Sequence, residues 1–237
     1  VVDRTFLCRF GFREFWIEGR FLYLNGSRVF LSFNRGGPRG GYEQAREQIR
    51  QTTDAVLALF KERELFKPAN TDLLLERFHA VLDERFDWVA MAEWVLGRKR
   101  SLFDQAQTDA FADAFSRYVV LHYLTQVEQH VLTDDPADID KIRAEYREER
   151  TRGDGAVALE VAFLTPNGTR VVTGYTLAYD EAIDSWRVRN FIVEGVSLVR
   201  NWRSELASVP TREKIMDVMN AKVKSLRDGR QEAKEEK

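Results

Sequence analysis

The order of two kinds of hydrophobic periodicity constrains the fold of this chain more than any other feature. Apolar residues recur at helical spacing from about residue 42 to 130, and strand-like alternation follows from about 141 to 193. Helices followed by a run of neighbouring strands are typical of α+β domains, whereas a doubly wound sheet alternates the two kinds of element. The sequence therefore predicts an α+β fold with a four-stranded antiparallel sheet.

Caps and turns set the boundaries of the predicted elements. Gly97 predicts a left-handed helix end, and Asn167-Gly168 predicts a hairpin turn between two strands. The predicted helices cover about 42–67, 71–82, 88–96, 104–130, 197–207 and 211–227. The predicted strands cover about 141–150, 156–165, 170–180 and 185–193.

Residues 184–205 are predicted to run from a strand through a Gly-Val-Ser step into a helix that Ser197 caps. Strict alternation assigns one mostly apolar strand face to Trp186, Val188, Asn190 and Ile192. It assigns the opposite face to Arg187, Arg189 and Phe191. The apolar positions of the helix are Leu198, Val199 and Trp202. No catalytic group stands out here, so the segment favours binding over catalysis.

The N-terminal part has a different composition from the rest. Residues 1–34 are rich in aromatic and β-branched side chains, and Asn25-Gly26 predicts a β-hairpin with strands at about 20–24 and 28–33. Residues 35–41 form a glycine-rich linker, and 42–227 form the main domain. The charged tail 228–237 is predicted to be disordered.

Charge and composition exclude several classes of function. The 36 basic and 38 acidic residues give a net charge of −2, so no global attraction to nucleic acid is expected. No stretch reaches the roughly 20 apolar residues of a membrane span. The start, VVDRTFLCRF, lacks the features of a signal peptide, so we expect a mature form or a fragment. Cys8 is the single cysteine, so no internal disulfide is expected.

The sequence contains no recognisable catalytic set, metal motif or cofactor motif, so we expect neither an enzyme nor a cofactor. The histidines His79, His122 and His130 lack the spacing of zinc ligands. Glu160 and Glu194 stay open as candidate acid–base groups, although capping or ion pairing is the commoner role. The basic run Arg98-Lys99-Arg100 is either a solvated loop or a contact for a phosphate headgroup or an acidic surface.

Large apolar side chains exceed what a thin α+β layer needs for closure. Such residues form a core by default, but they would line an apolar cavity if the helices hold the sheet open. Each buried methylene contributes about 0.8 kcal/mol, so a lipid tail can be held without specific polar chemistry. The predicted lining consists of Trp88, Met91, Phe111, Phe115, Tyr118, Val161, Phe163, Tyr175, Leu177, Trp186, Val188, Val196, Leu198, Val199 and Trp202.

Several short motifs carry a resemblance to a known family. The helical ones are Phe86-Asp87-Trp88, Met91-Ala92, Val95-Leu96-Gly97, Gln107 with Phe111 and Phe115, and Tyr118 with Tyr123. The later ones are Pro166-Asn167-Gly168, Trp186-Arg187-Val188, and Val193-Glu194-Gly195-Val196-Ser197-Leu198-Val199 followed by Trp202-Arg203-Ser204. Over about 42–224 the chain resembles the periplasmic phospholipid carriers of the Mla pathway, the MlaC or toluene-tolerance family.

This resemblance implies a curved four-stranded sheet with packed helices around a pocket for acyl chains. It also implies a periplasmic carrier that shuttles phospholipid between an outer-membrane lipoprotein complex and an inner-membrane ABC transporter, for outer-membrane lipid asymmetry. No enzymatic activity goes with it.

Residues of about 10–33 depart from this pattern and resemble the stretch that enters the catalytic barrel of family-2-type glycoside hydrolases. No repeating strand–helix pattern follows, so a complete barrel is not expected. Two alternatives to a lipid carrier stay open: a carbohydrate-active fragment, and a small isomerase-like α+β enzyme with a buried carboxyl group.

Overall fold

The computed structural model describes residues 15–18, 21–24, 27–29, 41–130, 136–151 and 155–232, with side chains described for 41–129, 137–147 and 155–231. The chain divides into two compact units, Val1–Gly37 and Pro38–Lys237. The mixed α+β class is confirmed for the second unit. The four-domain division, the curvature of the sheet and the pocket stay predictions.

The N-terminal unit contains a small antiparallel sheet. Its strands are β1 (Phe15–Glu18), β2 (Phe21–Leu24) and β3 (Ser27–Val29). β2 pairs with β3 on the two sides of the predicted turn, and β1 is an additional strand beside β2. The rest of the predicted strand 28–33, and most of the linker 35–41, lie outside the described residues.

The second unit carries the helices of the described part. They are α1 (Gly41–Lys61), α2 (Thr71–Leu82), α3 (Trp88–Leu96), α4 (Gln105–His130), α5 (Leu198–Glu205) and α6 (Arg212–Glu232). α1 ends six residues before the predicted end, because Glu62 has a ψ of 70° and leaves the helical conformation. Short 3-10 turns follow, and Lys67, the residue before Pro68, is extended as expected. α6 continues into the predicted tail, and residues 233–237 lie outside the described part.

The sheet of this unit has strands β4 (Arg143–Thr151), β5 (Val157–Leu164), β6 (Arg170–Asp180), β7 (Ser185–Val193) and β8 (Val196–Ser197). They pair in sequence order, and every neighbouring pair is antiparallel. The four predicted strands are therefore present, and the two-residue β8 adds a fifth. A tight turn at Glu194-Gly195, with φ of +47° and +78°, connects β7 to β8.

The register of β7 departs from strict alternation. Thr176 pairs with Asn190, but Leu177 pairs with Val188, so Arg189 has no partner across the sheet. This β-bulge reverses the order of faces beyond it. The prediction that Phe191 shares a face with Arg187 and Arg189 is therefore wrong. Phe191 packs with the buried core, and Asn190 and Ile192 point to the other face.

Helix α4 separates two buried clusters. Its Phe111, Phe115 and Val119 join the main cluster with α3, α5 and the sheet. Its Val120, Leu121 and Leu124 join a second cluster with α1, α2 and Ile139. Because α4 is apolar on two sides, its sequence shows a broad apolar surface rather than a narrow stripe.

Polar side chains connect the helices to their neighbours. The Gln48 amide donates to Ser185 Oγ at 3.0 Å and accepts from the Trp186 backbone N–H at 3.1 Å, which ties α1 to β7. The Arg230 guanidinium, 7% exposed, pairs with Glu128 and donates to the Phe66 carbonyl, which ties α6 to α4.

Gly97 ends α3 in a conformation that requires glycine. Its φ of +54° has the predicted sign, but its ψ of −123° lies outside the left-handed helical region. An added Cβ would lie 3.1 Å from Arg203 Nε. We therefore expect Gly97→Ala to lower the free energy of unfolding by about 1–3 kcal/mol, measured by urea denaturation.

Gly229→Ala is the matched control for this prediction. Gly229 lies within α6, and an added Cβ would meet nothing within 4 Å. Alanine there should raise stability by up to about 1 kcal/mol. Equal effects of the two substitutions would contradict a special role for the Gly97 backbone.

Candidate functional site

Most of the predicted lining forms one closed cluster. The buried members are Trp88, Met91, Phe111, Phe115, Val161, Tyr175, Leu177, Trp186, Val188, Leu198, Val199 and Trp202. Each of these side chains is at most 9% exposed. The sequence thus selected residues that lie together, on α3, α4, α5 and the inner face of the sheet.

The remaining three predicted residues lie nearer the surface. Tyr118 and Phe163 are partly buried and pack against the cluster. Val196 is 58% exposed, so it lies outside the buried lining in which it was predicted. The reason is its place on β8, a two-residue strand at the edge of the sheet with a neighbour on one side only.

Half-buried rings connect α4 to the sheet. Tyr118 stacks on His122 at 5.5 Å between ring centroids, His122 contacts Tyr123 at 5.2 Å, and Tyr123 contacts Phe191 on β7 at 5.2 Å. These four residues are named the ring row. At one end of the row, Tyr118 contacts Trp202 of α5 at 4.8 Å.

A group of three aromatic residues that meet at Phe191 is absent from the predicted lining. They are Phe86, Tyr123 and Phe191, and Phe191 contacts both other rings. Tyr123 and Phe86 stand within the family-like motifs, which was a usable signal. Phe191 was missed because its face depends on the bulge at Arg189.

The ring row is a weakly hydrated environment. Burial raises the pKa of Tyr123 to about 12, and it also raises the pKa of Tyr118. Burial and the nearby Lys222 ammonium lower the pKa of His122. His122 is therefore neutral at pH 7, and the whole row presents uncharged rings.

The inner face of the sheet carries apolar side chains from the core out to the surface. Paired residues, and residues two apart on one strand, share a face. Val161 therefore shares its face with Phe163 on β5 and, across Thr173 of β6, with Val193 and Val196. Val161 is fully buried, Phe163 and Val193 are half-buried, and Val196 is exposed. These four residues are named the apolar strip.

Several basic residues have internal roles, and they include Lys99 and Arg100 of the predicted basic run. Arg187 donates to the Phe86 carbonyl at 2.5 Å, and Arg189 pairs with Asp87 at 3.3 Å. Lys99 donates to the carbonyls of Leu206, Ala207 and Val209 at the end of α5. Arg100 pairs with Glu93 at 3.2 Å and donates to the Phe103 carbonyl. These cations stabilise loops and are not available to a ligand.

The candidate carboxyl groups also have structural partners. Glu160 lies 3.7 Å from Arg147, and Glu194 accepts from the Val172 backbone N–H at 2.6 Å. Burial raises the pKa of Glu128, which pairs with Arg230. Among the described residues, no group of three or more His, Cys, Asp or Glu is placed to hold a metal ion. Within that same part, none of the helices is long and apolar enough to cross a membrane.

A separate cleft of about 510 Å³ opens between α2, α3, α4 and α6. Its lining includes five carboxylates and two arginines, and one of the arginines, Arg227, pairs with Asp72 at 2.5 Å. Trp88 is the member of the predicted lining that borders the cleft, where its Nε1 donates to Asp83 at 2.7 Å. The cleft is therefore distinct from the closed apolar cluster.

Comparison with known proteins agrees with this architecture. Residues 50–224 match the family model described as MlaC protein. No curated protein matches the sequence. The fold is similar to a solved structure of the phospholipid-binding protein from Ralstonia solanacearum in complex with a phospholipid, with a TM-score of 0.64. The two chains are 16% identical, and the match covers 77% of this chain and 98% of that one.

Proposed function

The chain belongs to the MlaC family, and on this premise we propose that it binds phospholipid by its acyl chains, in the interior between α4 and the five-stranded sheet. The predicted lining would contact the acyl chains, together with Phe86, Tyr123 and Phe191. The protein acts as a carrier and not as an enzyme. The phospholipid bound to the Ralstonia protein of the same fold supports this ligand class.

The apolar strip is the observation that carries this proposal. The strip is interrupted only by Thr173, whose hydroxyl donates to the Val161 carbonyl and so presents no free polar group to a tail. Here Val193 and Val196 extend the buried face of Val161 to the surface. An acyl chain that crosses the strands from Val196 would pass Val193, Thr173 and Val161 in turn, and all of these side chains are uncharged.

The ring row closes the interior where α4 meets β7, so its rings would have to separate before lipid could enter. The buried members of the lining are at most 9% exposed, so acyl chains must displace side chains to enter. No side-chain hydrogen bond or ion pair joins α4 to β7 within the described part of the chain. Tyr123 and Phe191 meet through their rings alone there. We propose that α4 and β7 separate at this contact when lipid binds.

The family membership extends the proposal to a place in the cell. A carrier of this kind works in the periplasm and exchanges phospholipid with an outer-membrane lipoprotein complex and an inner-membrane ABC transporter. Its interior shields the acyl chains, and its exposed end leaves the headgroup in water. The carbohydrate alternative depends on residues 10–33, which the family match does not cover.

Lipid analysis of the purified protein tests the proposal. Native mass spectrometry and organic extraction of protein prepared without detergent should show bound phospholipid. The delipidated protein should take up fluorescent phospholipid from vesicles, and the same protein unfolded in urea should not. If no phospholipid is present after purification and none is taken up, the proposal is overturned.

A further inference from the structure

An exposed tryptophan and three arginines lie together where α3 meets α5, apart from the predicted lining. Trp94 is 45% exposed, and its carbonyl accepts from Arg203 Nε at 2.6 Å. Arg200 lies one turn before Arg203 on α5, and Arg98 follows Gly97, whose Cα faces the Arg203 guanidinium. Trp94, Arg98, Arg200 and Arg203 are named the cationic patch.

The cationic patch is not neutralised by neighbouring acids. In the described part of the chain, Arg98, Arg200 and Arg203 have no carboxylate within ion-pair distance. The nearby Glu93 and Glu205 are engaged with Arg100 and Lys222. Three unpaired arginines therefore lie on the same part of the surface as one exposed indole, on a chain whose net charge is −2.

From this juxtaposition we propose that the cationic patch docks the protein on the surface of an anionic lipid bilayer. Guanidinium groups form charge-assisted hydrogen bonds with phosphates, and an indole ring is favoured at the depth of the headgroups. Because the chain as a whole is slightly acidic, attraction to an anionic surface depends on where its basic residues cluster, and the patch gives such a cluster.

The shape of the patch favours a bilayer over a folded protein partner. Protein interfaces concentrate their binding energy in aromatic anchors that fill pockets of the partner, with several such residues at the centre. The patch instead offers one exposed indole and three arginines. Its position also suits lipid exchange, because Trp202, the neighbour of Arg203, contacts Tyr118 at the end of the ring row.

Vesicle flotation with the full chain tests this proposal. Binding to phosphatidylcholine vesicles that contain phosphatidylglycerol should be clear at low salt and should fall as salt rises. Vesicles of pure phosphatidylcholine should bind much less. Each arginine near an anionic surface contributes about a fivefold gain in partition. The double variant R98Q/R200Q should therefore bind roughly 25-fold more weakly, since each substitution removes one such gain.

A matched control removes the same charge elsewhere. Arg143 and Arg170 begin β4 and β6, are exposed, and have no ion pair within the described residues. R143Q/R170Q should bind anionic vesicles nearly as well as the unchanged protein. Equal loss in both double variants would overturn the proposal, and so would absence of binding by the unchanged protein.

Tryptophan fluorescence gives a second readout that does not depend on charge substitution. Anionic vesicles should protect Trp94 from an aqueous quencher, and this protection should be missing from Trp94→Phe. Unchanged protection in Trp94→Phe would contradict contact at the patch. R98Q/R200Q should keep the bound phospholipid of the unchanged protein, because Arg98 and Arg200 are exposed and lie outside the predicted lining.

Discussion

Bridging cysteines at positions 123 and 191 with a short bifunctional thiosulfonate, which forms a disulfide with each thiol and releases sulfinate, should reduce phospholipid uptake from vesicles to below roughly a tenth of the unbridged value. The expected loss exceeds that of any single substitution because the bridge prevents α4 from separating from β7, whereas a substitution only changes the cost of separation. The protein would carry Tyr123→Cys and Phe191→Cys in a Cys8→Ser background. Uptake is followed by fluorescent phospholipid, and reductant should restore it.

The control bridge lies within one helix. Arg50→Cys and Asp54→Cys are one turn apart on α1, where Arg50 and Asp54 form an ion pair at 2.8 Å. Bridging them should leave uptake unchanged. If the bridge across the ring row also leaves uptake unchanged, then lipid does not enter between α4 and β7.

Substituting Val196 with aspartate should separate lipid binding from stability. Val196 is 58% exposed, so Val196→Asp should change the free energy of unfolding by less than about 0.5 kcal/mol. The carboxylate would nevertheless stand on the apolar strip, where an acyl chain would strip it of water. We expect bound phospholipid to fall about tenfold, since burying an unpaired charge against hydrocarbon is costly. Lipid extraction and thermal denaturation measure the two effects.

Two further variants serve as controls for this prediction, one at an exposed residue and one at a buried residue. Ile183→Asp places the same charge at a residue 53% exposed, in the turn between β6 and β7, and should leave the lipid content unchanged. Trp186→Asp removes a ring that is 1% exposed and should unfold the protein, because large-to-small core substitutions alone cost about 3–5 kcal/mol. Equal lipid loss in the Val196 and Ile183 variants would argue against the apolar strip.

Local signals were sufficient for the element order. Asp87 accepts from the Ala90 N–H at the start of α3, and Ser197 accepts from the Arg200 N–H at the start of α5. Such caps depend on neighbours in sequence, so the sequence predicts them well. The strands between Asn167-Gly168 and residue 193 follow the same logic, since turn chemistry and alternation are local.

Two features could not be predicted from local signals: which side chains of β7 point to the core, and whether the predicted lining encloses a cavity. Arg189 is an extra residue of β7 between two pairs that are consecutive on β6. Such a bulge is a property of the two strands together, so it cannot be found from one strand alone. The choice between a cavity and a core is also not local. Trp186 and Val188 are apolar in either case, and only packing with α1, α3 and α5 places them at 1% exposure or less. The sequence therefore identified the residues but not whether they enclose space.

The connections made by Gln48 and Arg230 have a thermodynamic consequence. Gln48 holds α1 to the sheet, while Arg230 holds α6 to α4, so the two sets of polar bonds lie on opposite sides of the ring row. Separation of α4 from β7 leaves both sets intact and exposes mainly hydrocarbon. A bound acyl chain covers that hydrocarbon again, at about 0.8 kcal/mol per methylene. The empty and filled molecules would then be close in free energy, and lipid could be released as readily as it is captured.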